Sequence, residues 1–110
     1  MDTDDLAKKH CKPCEGGMPP ATKEEAEILL KRVADWRLSP DGKTIERSFK
    51  FKNFAEALDF VNKVGAIAEE EGHHPDIGLH WGRVEISLTT HAIGGLSEND
   101  FILAAKIDRL

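Results

Sequence analysis

From Ile77 to Thr90 the chain reads "IGLHW-GR-VEISLTT", two alternating apolar and polar runs separated by Gly82-Arg83. Two strands joined by so short a connection have no length for a crossover and must pair antiparallel. Gly in the first position suits a type II′ turn, which needs positive φ there. That turn predicts that Trp81 faces Val84, Leu79 faces Ile86 and Ile77 faces Leu88, all apolar and on one side. His80 and Glu85 fall on the other side as a structural cross-strand pair.

Helix signals alternate with hairpins along the rest of the chain. Thr22 and Glu25 have capping-box spacing ahead of an apolar stripe, Ala26, Leu29, Leu30 and Val33. "WRL" then leads through Pro40-Asp41-Gly42 into "TIERSFKF", a second hairpin. Ile45, Phe49 and Phe51 share one face of that strand, and only Arg47 breaks the alternation. Asn53 with Glu56 opens another helix in the same manner, with Phe54, Leu58, Val61, Val64 and Ala68 as its stripe and Gly72 as its stop. Ser97 and Asp100 cap a last helix through "FILAAKID". The order is α-β-β-α-β-β-α. Strands joined as hairpins predict an α+β fold, an antiparallel sheet with the helices on one face. Residues 1–20 carry no periodicity and read as an irregular arm ahead of one domain at 21–110.

Composition narrows the function. A chain of 110 residues holds one modest core, and association with copies of itself would add stability. A net charge of -5 argues against direct nucleic-acid binding. No apolar run approaches the ~20 residues of a membrane helix. "MDTDDLAKK" lacks the apolar region of a secretory signal, so a cytoplasmic location is expected. Cys11 and Cys14 do not make a disulfide framework. With His10 they could be half a zinc site, or alone a redox pair, but a reduced, non-catalytic arm feature is the simpler reading.

Four of the five histidines lie between Glu69 and Asp100. Extending the Ile77–Thr90 hairpin past Pro75 brings His74 near His91, with His73 alongside. Ordinary surface histidines, a metal site and a proton-transfer site are the three readings. Adjacent side chains in an extended segment point to opposite sides, so His73 and His74 chelate one ion poorly. Proton transfer fits better, because imidazole changes charge near neutral pH and serves as acid or base in one cycle. It requires no cofactor and no metal. Asp100 is accounted for by its capping box. Glu69, Glu70 and Glu71 sit unfavourably for the helix dipole, which suggests another duty for at least one of them.

"HHP" at His73–Pro75, "SLTTH" ending at His91 and "GLSENDF" from Gly95 resemble the pterin-4a-carbinolamine dehydratases. The likeness extends through Trp36, "FKFKNFAEALDFVNKV" and the last helix, about residues 22 to 110. It implies a four-stranded antiparallel sheet with three helices on one face, and a homodimer or homotetramer. The implied reaction removes water from 4a-hydroxytetrahydropterin to give quinonoid dihydropterin, recycling the pterin of aromatic amino acid hydroxylases. By position, His73, His74 and His91 become the catalytic histidines. His74 and His91 would be the acid/base pair, with His73 orienting the substrate or sharing that role. Gly72, Pro75, Thr89, Thr90 and Ala92 become pterin-site positions, and Glu69 and Asp100 match acidic positions nearby. Gly72 departs from the Asp or Asn of many members, Asn99 from a vertebrate Arg, and Trp81 from a common Tyr. Two rivals remain: a non-enzymatic assembly or dimerisation factor of the same fold, and a metal-dependent hydrolase.

Overall fold

In the computed structural model, which describes residues 6–12 and 18–110, helices begin where a polar side chain accepts an otherwise unpaired amide. Thr22 accepts from the Glu25 amide at 3.1 Å and Glu25 from the Thr22 amide at 2.8 Å, ahead of α1, Lys23–Leu30. A 3₁₀ turn, Lys31–Val33, continues it. Asn53 accepts from the Glu56 amide at the head of α2, Phe54–Glu71, but the Glu56 carboxyl takes the Lys52 amide instead of that of Asn53. Asp100 reaches back to the Ser97 amide at the start of α3, Glu98–Asp108.

The strands are β1 (Arg37–Leu38), β2 (Ile45–Lys50), β3 (Asp76–His80) and β4 (Arg83–Leu88). They form one antiparallel sheet in the order β1-β2-β4-β3. The architecture is α+β as expected, and residues of all three helices share a core with one sheet face. Phe101, Leu103, Ile86 and Leu88 are at most 1% exposed there, and each such side chain contributes about 1.5–3 kcal/mol by burial. Among the described residues no helix is long and apolar enough to cross a membrane.

Three local expectations are corrected. The β3–β4 connection is Trp81-Gly82, not Gly82-Arg83, so Leu79 pairs with Val84 and Ile77 with Ile86. A slip of two residues leaves every side chain on its expected face. Gly82 does not have positive φ. It answers a close approach: a Cβ there would lie 3.0 Å from the Phe51 carbonyl oxygen, while the Phe51 amide donates to Gly82 O at 2.8 Å. Trp81 stands 69% exposed in the turn. His80 still pairs with Glu85, at 2.9 Å, but diagonally, since Gly78 lies opposite Glu85.

The second correction concerns α2, which buries Ala57, Phe60, Val64 and Ala68 while Phe54 and Leu58 are 44% and 40% exposed. The helix carries two overlapping apolar stripes. Phe60 selects one of them, because its ring packs 4.7 Å from Phe49 and 5.0 Å from Phe51. The third concerns Arg47. It lies on the core side, pairing with Asp108 at 2.6 Å, its guanidinium 4.4 Å from the centre of the Phe49 ring. Trp36 Nε1 donates to the same Asp108 oxygen at 2.9 Å, so one carboxyl ties α3 to β2 and to the bend just ahead of β1.

Gly72 ends α2 with φ 64° and ψ 29°. Side chains other than Asn and Asp pay about 1–2 kcal/mol in that region. The space around it is open, so the cost of substitution is conformational alone. Gly72→Ala is expected to lower the unfolding free energy by about 1 kcal/mol, and Gly72→Asn by less. Urea denaturation of the two variants measures this.

Candidate active site

The reversal at Gly72 sets down His73 and His74 between the end of α2 and the start of β3. The His73 amide still donates to Ala68 O at 3.2 Å, which holds the first of them against the helix terminus. Beyond β4, Thr90 and Gly95 form an isolated bridge that pinches the intervening loop closed. His91–Ile93 makes a 3₁₀ turn inside that loop. The Thr89 hydroxyl donates to Lys43 O at 2.6 Å, fastening the loop to the β1–β2 connection. A histidine pair and a third histidine therefore meet at one end of the sheet.

His73 is braced from beneath. Its Nε2 donates to Asp100 Oδ1 at 2.6 Å, and Asp100 is fully buried. The other oxygen, Oδ2, accepts from the Thr90 hydroxyl at 2.8 Å and from the Ser97 amide at 3.0 Å. Thr90 Oγ1 lies 2.8 Å from Ser97 Oγ, and the Ser97 hydroxyl donates there because Thr90 has spent its proton on Asp100. The helix cap of α3 is thus also the acceptor that orients His73. With Nε2 so engaged, Nδ1 is the ring nitrogen left for another contact.

His74 Nε2 pairs with Glu69 Oε2 in an exposed contact, the two side chains being 62% and 78% exposed. An exposed pair adds little to stability, but it fixes which way the ring faces. His91 is exposed, with no hydrogen-bond partner for its ring among the described residues.

These groups line one cavity of about 490 Å³. Gly72, His73, His74, Thr89, Thr90, His91 and Ala92 are on its wall. Glu69 and Pro75 are not; Glu69 touches the wall only through its contact with His74, and Asp100 stands behind His73. Cys11, Lys12, Glu71 and Asn99 complete the wall. Sequence patterning carried no signal for Lys12 and Asn99, because their contact joins residues 87 apart in sequence. Glu71 had one, its awkward place at a helix C-terminus. Its carboxyl accepts from the Cys11 amide at 2.8 Å and pairs with His10 at 2.9 Å. Burial pushes the Glu71 carboxyl up, but the Cys11 amide, the His10 ring and the Lys106 ammonium outweigh it and hold it below its ordinary value. Cys14 lies outside the described residues.

A second cavity, of about 300 Å³, opens on the far face of the sheet among Glu46, Ser48, Asp76 and Glu85, and has no histidine on its wall. Among the described residues, no three His, Cys, Asp or Glu side chains come together as a metal ligand set. His73 and His74 instead turn to two different carboxyls, Asp100 and Glu69. The arrangement offers three imidazoles to one small ligand, two of them oriented by acids, and it suits proton transfer.

The family pattern of pterin 4 alpha carbinolamine dehydratase matches residues 19–110. A Methylococcus capsulatus protein provisionally named pterin-4-alpha-carbinolamine dehydratase is 54% identical over 110 residues, covering 100% of this chain and 96% of the relative. A Rubrobacter xylanophilus protein with the same provisional name is 55% identical over 106 residues, covering 96% of this chain and 98% of the relative. Among solved structures, a Brucella melitensis protein described as a transcriptional coactivator/pterin dehydratase superposes with a TM-score of 0.77 at 32% identity, over 82% of this chain and 96% of that one. A pterin dehydratase-like protein described as a RuBisCO assembly factor in the alpha-carboxysome superposes with a TM-score of 0.60 at 28% identity, over 68% and 87%. The capped helices, the sheet and the histidine loops all fall inside the matched span, and the chain belongs to the pterin 4 alpha carbinolamine dehydratase family.

Proposed function

We propose that the protein dehydrates 4a-hydroxytetrahydropterin to quinonoid dihydropterin, returning the oxidised pterin of aromatic amino acid hydroxylases to its recycling path. The observation that carries this reading is three histidines on one cavity wall, one of them held by a buried carboxyl. In the reaction the C4a–O bond breaks as an imidazolium gives its proton to the departing hydroxyl, forming water. The N5–H proton passes to a neutral imidazole, and that bond's electrons become the C4a=N5 double bond. Protons in and out balance, and solvent resets both rings. His74 and His91 fill the two roles, since their exposure permits that exchange. His73, fixed through Nε2, orients the ring system with its remaining nitrogen.

The test is the rate of quinonoid dihydropterin formation from freshly generated 4a-hydroxytetrahydropterin, with chelator-treated protein against buffer alone. An acceleration of about 10²-fold or more, unchanged by chelation, is expected. No acceleration by folded protein would sink the enzyme reading. It would move the search to the kind of protein-assembly role described for the solved relative of the alpha-carboxysome. Activity that disappears on chelation and returns with added metal would restore the metal-dependent alternative.

A further inference from the structure

The stretch 6–12 packs along the ends of α2 and α3 and is held at both of its own ends. Leu6 is fully buried in the core, and Lys106 Nζ donates to Ala7 O at 2.7 Å. At the other end Asn99, 7% exposed, clamps Lys12 by both faces of its amide. The Lys12 amide donates to Asn99 Oδ1 at 2.9 Å, and Asn99 Nδ2 donates to Lys12 O at 2.5 Å. A side-chain amide used in this way replaces a neighbouring strand: it fixes the height and rotation of one residue of the arm. Glu71 holds the preceding residue by its amide, as described above. Between these points the exposed Lys9–Glu98 pair, at 3.2 Å, adds only a weak tie.

The held residues are those that close the histidine cavity on the arm side, Cys11 and Lys12. We propose that the arm is a wall of the pterin site and that Asn99 is the residue that positions it, setting substrate affinity rather than the chemical step. This rests on the dehydratase reading of the cavity. The division of labour follows from chemistry. The arm brings no imidazole to the wall, because His10 is turned to Glu71 and is 76% exposed. Losing the wall therefore removes contacts made equally to substrate and transition state, which raises KM and leaves kcat.

Asn99→Ala removes both of these hydrogen bonds to Lys12, so KM is expected to rise about tenfold with kcat within about twofold. Asn99→Asp keeps the acceptor for the Lys12 amide and loses the donor, and should fall between. Lys12→Pro removes the same amide donor from the arm side, and so tests the clamp should Asn99→Ala fail to fold. Lys9→Ala should leave both constants unchanged. A readout free of turnover accompanies these. In a Cys14→Ser parent, maleimide labelling of Cys11 should speed up about tenfold on Asn99→Ala, and saturating tetrahydrobiopterin should slow it in the parent. Unchanged KM with unchanged labelling overturns the inference, as does a fall in kcat at constant KM. A parent that labels as expected yet does not accelerate dehydration leaves the clamp standing and removes the dehydratase reading. A parent that turns over normally while the clamp variants behave like it removes the wall alone.

Discussion

His74→Ala and His91→Ala are each expected to lower kcat for dehydration by about 10²–10⁴, the usual worth of a positioned acid or base. KM should move far less, because each ring is needed most where its proton is in flight. Stability should stay within about 0.5 kcal/mol of the parent, since both side chains are exposed and the His74–Glu69 pair is itself exposed. The double variant should be hardly slower than the worse single one if the rings act as one unit. Single-turnover absorbance with freshly generated substrate, together with urea melts of the same samples, reads all of this. A loss below about threefold in both variants would transfer the chemistry to His73. Full activity in all three single histidine variants would detach the reaction from this cavity.

Asp100→Ala is expected to be the most destabilising change near the site, by about 3–5 kcal/mol. The reason is the number of donors left behind. The His73 ring, the Thr90 hydroxyl and the Ser97 amide all lose their acceptor, a carboxyl that is itself fully buried. The capping box of α3 opens at the same moment. Activity should fall with it, because His73 loses the partner that sets its ring. Asp100→Asn separates the two effects. An amide oxygen can still serve Thr90 and Ser97, so much of the stability should return, while its NH₂ cannot accept from His73 Nε2. Denaturant midpoints and kcat of both variants test this. Equal recovery of stability and activity in Asp100→Asn would show that the His73 contact is dispensable.

How legible the site was depends on how its parts are spaced. The gathering of His73, His74 and His91 at one sheet end could be read, because a hairpin links them and the two-residue slip shifts their alignment but keeps them at the same end. Their bracing could not. His73 meets Asp100 across 27 residues, and Cys11 meets Glu71 across 60. No periodicity reports such a pairing, and the spacing around Asp100 pointed only to its cap, the family resemblance alone placing it near the site.

The sequence by itself determined the element order, the antiparallel sheet and the face on which each strand residue lies. Those rest on short-range physics: side chains bonding amides three residues on, strands too close to cross over, and a side-chain period of two. It also carried the family's histidine motif. Only the tertiary structure decided which of two apolar stripes on α2 faces inward, because Phe60 had to meet Phe49 and Phe51 to settle it. Only it showed Arg47 as a tie to Asp108, and Asp100 as cap and histidine anchor at once. It alone brought Lys12 and Asn99 together at the wall of the cavity. Each of these depends on which distant groups share a limited buried volume, and that is a property of the packed chain as a whole.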